Sequence, residues 1–114
     1  MYAVPELIET RVFAELPEKF RVKGRRTSWT ENRLHGAELH SFLEGPSFDR
    51  NGDLYCTDIP YGRIFRITPD GEFHLVTEYD GEPNGLKIHK DGRLFVTDQR
   101  RGILDHRRRA LSLS

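Results

Sequence analysis

The sequence predicts an all-β protein built from repeated antiparallel sheets, and two observations support the prediction. The first is an internal repeat, in which Glu44–Ile64 aligns without gaps with Asn84–Leu104 and six of the 21 aligned pairs are identical. The second is regular punctuation by Asn-Gly and Asp-Gly pairs, which begin at positions 51, 70, 80 and 91. Such pairs favour the tight turns of β-hairpins, because Asn, Asp and Gly tolerate positive φ.

A repeat of about 40 residues with short, glycine-marked strands is typical of propeller blades, each too small to bury its own apolar face. A propeller of six such blades would need on the order of 240 residues, whereas the chain has 114. The predicted fold is therefore a partial β-propeller that contains about one and a half to two four-stranded blades.

Residues 1–43 lie outside the repeat and are predicted to form an N-terminal extension or closing segment. Within this segment, Val4–Val12 is compatible with either a short strand or a helix. Trp29, Leu34 and Phe42 are candidates for packing anchors.

Residues 44–105 contain the predicted blades. Four strands form a first antiparallel blade, two more begin a second blade, and a possible third strand of that blade begins at Gly102. In chain order the six predicted strands are Pro46–Asp49, Asp53–Asp58, Arg63–Thr68, Glu72–Tyr79, Gly85–His89 and Arg93–Thr97.

The pattern of turns and alternating residues stops after Leu104. Residues 106–114, which include the basic run Arg107–Arg109, are therefore predicted to be a disordered or out-of-frame tail. The half-built blade in front of this tail favours an out-of-frame origin over an ordinary disordered terminus.

Composition restricts the class of protein. Eighteen basic and eighteen acidic side chains cancel, so no net charge attracts the chain to nucleic acid or to a membrane surface. The sequence has no apolar run of about 18 residues and no basic, then apolar, secretory leader. The single cysteine, Cys56, cannot form a disulfide framework and is predicted to be a small buried filler. A cytoplasmic location follows as an expectation.

Five stretches of the repeat region match one known family in combination. They are Leu43–Pro46, Gly52–Tyr55 followed by Asp58–Pro60, Gly62–Arg66, Pro83–Leu86 and Asp91–Leu94. Through them the chain resembles the senescence marker protein/gluconolactonase/luciferin-regenerating enzyme-like family. The resemblance implies a six-bladed propeller that hydrolyses a small-molecule lactone or ester, using one divalent ion at the bottom of a central pocket.

The resemblance also implies roles for two residues. Glu44 matches a metal ligand of the first blade, and Asn84 matches a pocket residue of the next blade that contacts the metal or the substrate. Calcium is the first candidate ion, with zinc or manganese as alternatives, since oxygen ligands alone do not choose among them. The general base and the remaining ligands are expected in later blades that have no counterpart in this chain, so the catalytic residue is unknown.

Structural interpretations compete with these roles. Glu44 precedes a Gly-Pro turn, and Pro-Asn-Gly around Asn84 is itself a good turn sequence. Thr57/Thr97 and Asp58/Asp98 recur in both repeats, and residues repeated in every blade are expected to make strand-end and turn hydrogen bonds rather than to catalyse.

Three hypotheses for the whole chain follow. It is a fragment of a metal-dependent lactonase-like hydrolase, an inactive truncated remnant of one, or a module whose copies associate through open blade edges. Alone, the chain is predicted to have little or no activity, because two oxygen ligands make a weak site for an ion that takes six to eight.

Overall fold

The computed structural model describes residues 3–36 and 38–107. Within these ranges the chain forms two antiparallel sheets with little helix, which confirms the predicted all-β class. The strands follow chain order in both sheets. The first sheet contains β1 (Leu43–Phe48), β2 (Leu54–Asp58), β3 (Arg63–Ile67) and β4 (Phe73–Glu78). The second contains β5 (Pro83–Ile88), β6 (Leu94–Asp98) and β7 (Gly102–His106).

Local turn chemistry closes the first hairpin of each sheet. In the first sheet, Asp49 Oδ1 accepts the backbone N–H groups of Asn51 at 2.8 Å and Asp53 at 3.0 Å. In the second sheet, Asp91 Oδ1 accepts the N–H of Arg93 at 3.0 Å. That bond, together with the Arg93 guanidinium, lowers the pKa of the Asp91 carboxyl to about 2. A short acidic side chain at the turn therefore satisfies backbone donors that the strands leave unpaired.

The outer face of the first sheet, meaning the face turned away from the second sheet, is covered by the N-terminal segment. Cys56, Phe65 and Ile67 point to this face, and Leu16 and Phe20 pack on it. Cys56 is the buried filler that the sequence predicts, and burial raises the pKa of its thiol to about 12.

The inner face of the first sheet packs against the second sheet. Tyr55 and Ile64 alternate with the outer-face residues and contact Leu86, Leu94 and Val96. All five side chains are buried. Full burial of a large aliphatic side chain contributes about 1.5–3 kcal/mol, so this contact is a main source of cohesion between the sheets.

The repeated aspartates have the structural role that the sequence predicts. Asp58 Oδ1 accepts the N–H of Phe42 at 2.7 Å, and Asp98 Oδ2 accepts the N–H of Glu82 at 3.0 Å. Phe42 and Glu82 are themselves equivalent positions of the repeat, each just before the first strand of its sheet. Each aspartate therefore ties the end of the second strand to the start of the first, and we call this arrangement a clamp.

The clamp at Asp58 also holds the N-terminal segment. Asp58 forms an ion pair with Arg63 at 2.7 Å, and both side chains are buried. Arg63 Nη1 in turn donates to the carbonyl of Phe20 at 2.7 Å. Breaking a buried pair of this kind costs about 3–5 kcal/mol, because it leaves one charge uncompensated.

The gapless repeat does not extend to the third strands. In the first sheet Thr57 lies opposite Ile64, whereas in the second sheet Thr97 lies opposite Ile103 and Leu104 lies opposite Val96. Pairing Ile64 with Leu104 by sequence is therefore wrong by one residue. The connection between β6 and β7 is one residue shorter than that between β2 and β3, and a one-residue slip moves each side chain to the other face.

The N-terminal segment differs from its sequence pattern in two ways. Val4–Val12 forms neither strand nor helix. An α-helix, α1 (Ser28–Leu34), is present that the sequence pattern did not predict, and Thr27 and Thr30 form its capping box. Of the predicted anchors, Trp29 is buried and its ring lies 5.0 Å from that of Phe42, which is itself partly exposed.

The C-terminal boundary is only partly described. His106 is the last residue of β7, although the sequence pattern assigns it to the tail. Residues 108–114 lie outside the described residues.

Asp98→Asn should lower the free energy of unfolding by about 1–3 kcal/mol at neutral pH, because charge-assisted hydrogen bonds are lost. Burial alone would raise the pKa of the Asp98 carboxyl. The Tyr79 hydroxyl and the N–H groups of Arg100, Arg101 and Glu82 outweigh burial and lower it. The contribution of Asp98 is therefore complete above its unfolded pKa of about 4 and is lost as pH falls through the lowered folded pKa.

Urea denaturation at a series of pH values measures this effect. The difference between wild type and Asp98→Asn should shrink as the solution is acidified. Asp105→Asn is the matched control, because Asp105 is exposed and its nearest ion pairs are 3.7 and 3.9 Å long. An equal loss in both variants would contradict the clamp.

Candidate functional site

Each candidate ligand residue lies at an irregularity in the pairing of the first two strands of its sheet, and the two irregularities overlap in the repeat. Between the paired residues Leu43↔Asp58 and Ser47↔Tyr55, β1 carries one residue more than β2. The same excess occurs between Pro83↔Asp98 and Lys87↔Phe95 in the second sheet. Glu44 pairs with Thr57 directly before the shift in the first sheet, whereas Asn84 lies within the shift between Pro83 and Gly85 in the second. Bulges re-aim side chains and are over-represented beside functional sites.

The hydroxyl of Thr57 brings the two residues together. Its Oγ1 lies 3.1 Å from the carbonyl oxygen of Glu44 and 2.9 Å from that of Asn84. Thr57 is fully buried. One hydroxyl proton is therefore shared between two carbonyls of different sheets, and the backbones of Glu44 and Asn84 lie side by side.

The repeated glycine permits this close approach. Gly45 has φ +59°, and a Cβ built on it would lie 2.6 Å from the carbonyl oxygen of Asn84 and 3.0 Å from Gly85 Cα. Any other residue at position 45 would push the two sheets apart. The predicted strand began at Pro46 and left Gly45 outside it. Once β1 is known to begin at Leu43, Gly45 is an isolated glycine inside a strand, which indicates a bulge or a close backbone approach.

The side chains of the two residues make few contacts of their own. Glu44 is exposed, and among the described residues its Oε2 accepts only the N–H of the adjacent Gly45, at 3.3 Å. Asn84 is half-buried, and within residues 3–36 and 38–107 its side-chain amide has no hydrogen-bond partner. A carboxylate and an amide are thus available at the same end of neighbouring strands.

The oxygen atoms of these two side chains are of the type that binds a hard divalent cation, which prefers carboxylate and amide oxygens. They are too few to complete a site. The described part of the chain contains no group of three or more His, Cys, Asp or Glu side chains that could hold a metal ion. Asp58 and Asp98 lie at the same end of the strands, but hydrogen bonds of the clamps occupy their carboxylates.

Other polar groups near this end have structural partners. Arg100 and Arg101, a basic pair in the sequence, contact the carboxylate of Asp80. The hydroxyl of Tyr79 donates to Asp98 at 2.7 Å, and burial with this contact raises the pKa of Tyr79. Neither arrangement leaves a group that is free to act as a general base.

A groove of about 570 Å³ lies at the opposite end of the strands. Its walls are the β1–β2 turn around Arg50 and the β5–β6 turn around Lys90, with Tyr55 and Leu94 at its floor. The groove is therefore separate from Glu44 and Asn84, and the candidate ligands do not line it.

Part of the chain is related in sequence to lactonases. It is 40% identical over 70 residues to Lactonase drp35 of Staphylococcus aureus strain USA300, which covers 60% of this chain and 20% of that protein. The protein of strain MRSA252 is 37% identical over 70 residues. Lactonase drp35 of Staphylococcus epidermidis is 39% identical over 57 residues, or 47% of this chain and 17% of the relative.

The chain spans about a fifth of the length of the curated relatives that it matches. No family model and no solved structure matches it. Among the described residues, no helix is long and apolar enough to cross a membrane.

Gly45→Ala should lower the free energy of unfolding by about 2–4 kcal/mol, because it combines backbone strain with a steric clash. Gly92→Ala is the matched control. Gly92 also has positive φ, at +93°, but an added Cβ there would meet no atom within 4 Å. Urea denaturation of both variants separates the two effects, and equal losses would show that Gly45 does not enforce the close approach.

Proposed function

We propose that this chain carries part of the active site of a lactonase-like hydrolase, with Glu44 and Asn84 as two oxygen ligands of its divalent ion. One observation carries the proposal. The shared Thr57 hydroxyl holds the backbones of both residues together beside the register shifts of their strands, in a chain of which 70 residues are related to Lactonase drp35.

The proposed architecture is a six-bladed propeller of which the two sheets are consecutive blades. Three features support it: the gapless internal repeat, the face-to-face packing of the sheets, and the contact of their first strands at Gly45. Equivalent residues of successive blades face a common axis, so Glu44 and Asn84 would face the same central pocket. The other ligands and the general base would come from the part of the relatives that this chain does not span.

Each residue then has a distinct task. Glu44 would supply a charged ligand, because its carboxylate is exposed and held only by its own backbone among the described residues. Asn84 would either bind the ion through its amide oxygen or donate its amide N–H to the lactone. Gly45 and Thr57 act as positioning residues that set the distance between Glu44 and Asn84.

A bound divalent ion, calcium first and zinc or manganese as alternatives, would lower the pKa of a water and polarise the lactone carbonyl. The isolated chain supplies only two ligands, so we expect it to bind the ion weakly and to show little or no activity.

A chimera tests the proposal. In Staphylococcus aureus Lactonase drp35, the segment that matches this chain is replaced by a segment of this chain that includes Glu44 and Asn84, and lactone hydrolysis is measured with calcium, zinc or manganese and after chelation. We expect metal-dependent activity. Glu44→Ala should reduce kcat/KM by about 100-fold or more, since loss of the ion removes several kcal/mol of transition-state stabilisation.

The matched control is Glu78→Ala, which removes an exposed carboxylate at the end of β4 in the same sheet. It should leave the rate within about twofold of the chimera, because surface substitutions of this kind have small effects. A folded chimera in which Glu44→Ala and Glu78→Ala behave alike would refute the role of Glu44. An inactive but folded chimera would refute the functional equivalence of the two segments.

A further inference from the structure

The two faces of the second sheet differ in how far they are covered. Its inner face is buried against the first sheet through Leu86 and Val96. Its outer face presents Phe95, Thr97 and Ile103, of which Thr97 is exposed and Ile103 is 70% exposed. Strand register places these three side chains on one face, because Thr97 lies directly opposite Ile103 and Phe95 is two residues from Thr97.

The side chains on this outer face are equivalent to those with which the first sheet packs against the second. Tyr55 and Thr57 of the first sheet correspond to Phe95 and Thr97 in the sequence repeat. Ile64 corresponds to Ile103 by register, since each lies opposite the repeated threonine. In the first sheet this row is covered by apolar side chains of the second, namely Leu86, Leu94 and Val96. In the second sheet Thr97 and Ile103 of the corresponding row are exposed, whereas Phe95 is half-buried beneath the side chains of His89 and Arg93.

The surface complementary to this row also exists in the chain. Leu94 and Val96 correspond to Leu54 and Cys56, which lie on the outer face of the first sheet. There, however, Leu16 and Phe20 cover them. The segment Ala14–Phe20 therefore occupies the surface that would match the partly exposed row of another copy.

We propose that the outer face of the second sheet binds the outer face of the first sheet of a second copy of this chain, and that Ala14–Phe20 competes for that surface. The proposed contact would repeat, between two copies, the interface that joins the two sheets of one copy. It does not depend on the proposed hydrolase function. The interface is heterologous, so it adds copies head to tail into a ring or an open chain. Zero net charge offers no electrostatic barrier to such association.

The competition favours single copies at low concentration. A segment tethered by a short linker acts at an effective concentration in the millimolar range. At equal affinity, a second copy must therefore exceed that concentration to displace Ala14–Phe20. The segment thus has the role of a terminal cap in a repeat protein, which prevents further stacking.

Sedimentation velocity on the full chain tests the proposal. The wild type, at micromolar concentration, should sediment as a 13.3 kDa monomer. The double variant Leu16→Asp/Phe20→Asp releases the segment and should at least double the weight-average mass. Adding Ile103→Asp on the opposite surface should restore the monomer. Val12→Asp is the matched control, because Val12 is 72% exposed and should leave the monomer unchanged.

Two outcomes would overturn the proposal: a folded double variant, shown by circular dichroism, that stays monomeric at high concentration, or association that Ile103→Asp does not reverse. If the double variant fails to fold, hydrogen exchange on concentrated wild type decides the question. The proposal requires that residues 94–103 gain protection while residues 14–20 lose it. Protection of 94–103 with no loss at 14–20, or no change at either, would refute it.

Discussion

The contact between Thr57 and the carbonyls of Glu44 and Asn84 sets the relation of the two sheets and of everything attached to them. A buried carbonyl without a partner costs about 1–3 kcal/mol, and here one hydroxyl serves two of them. The bond forms only because Gly45 lacks a side chain at the point where the backbones meet. The same approach brings the inner face of the first sheet onto the second. Core packing and the placement of the candidate ligands therefore both depend on the distance between the backbones of Glu44 and Asn84.

Repetition separates structural residues from candidate functional ones. Asp58 and Asp98 are identical in both repeats and bind equivalent backbone groups, which explains why the repeat keeps them. Glu44 and Asn84 occupy one equivalent position with different chemistry, and their side chains take no part in the clamps. The side chains of Glu44 and Asn84 are not needed for the clamps and can therefore bind a metal ion. Those of Asp58 and Asp98 already bind backbone groups and cannot. This distinction supports the proposed role of the two residues better than the resemblance to lactonases does alone.

The outer faces of the two packed sheets are not equivalent. The N-terminal segment covers the first sheet and is tied down by Arg63, whose guanidinium binds both Asp58 and the carbonyl of Phe20. On the outer face of the second sheet, Thr97 and Ile103 are exposed within the described part of the chain. The chain spans about a fifth of the lactonases that it matches, and both the exposed outer face and the two-residue ligand set involve the second sheet. Both would be completed by further sheets, whether from the same polypeptide or from another copy.

The sequence by itself determined the all-β class, the order of the strands and the positions of the hairpins, because those depend on turn residues such as Asp49 and Asp91 that act within a few positions. It also identified Glu44 and Asn84 as equivalent positions, since a gapless internal repeat is readable without coordinates. It did not reveal helix α1, whose capping by Thr27 and Thr30 is a short and common pattern.

Only the tertiary structure decided the bulges, the one-residue slip of β7 and the covering of the first sheet by Leu16 and Phe20. The physical reason is the range of the interactions. Turn preferences are local, but the Thr57 hydroxyl finds one of its acceptors 27 residues away. The register of β7 depends on how a three-residue connection spans two paired strands. Such choices are made by packing between elements, which a linear pattern does not specify.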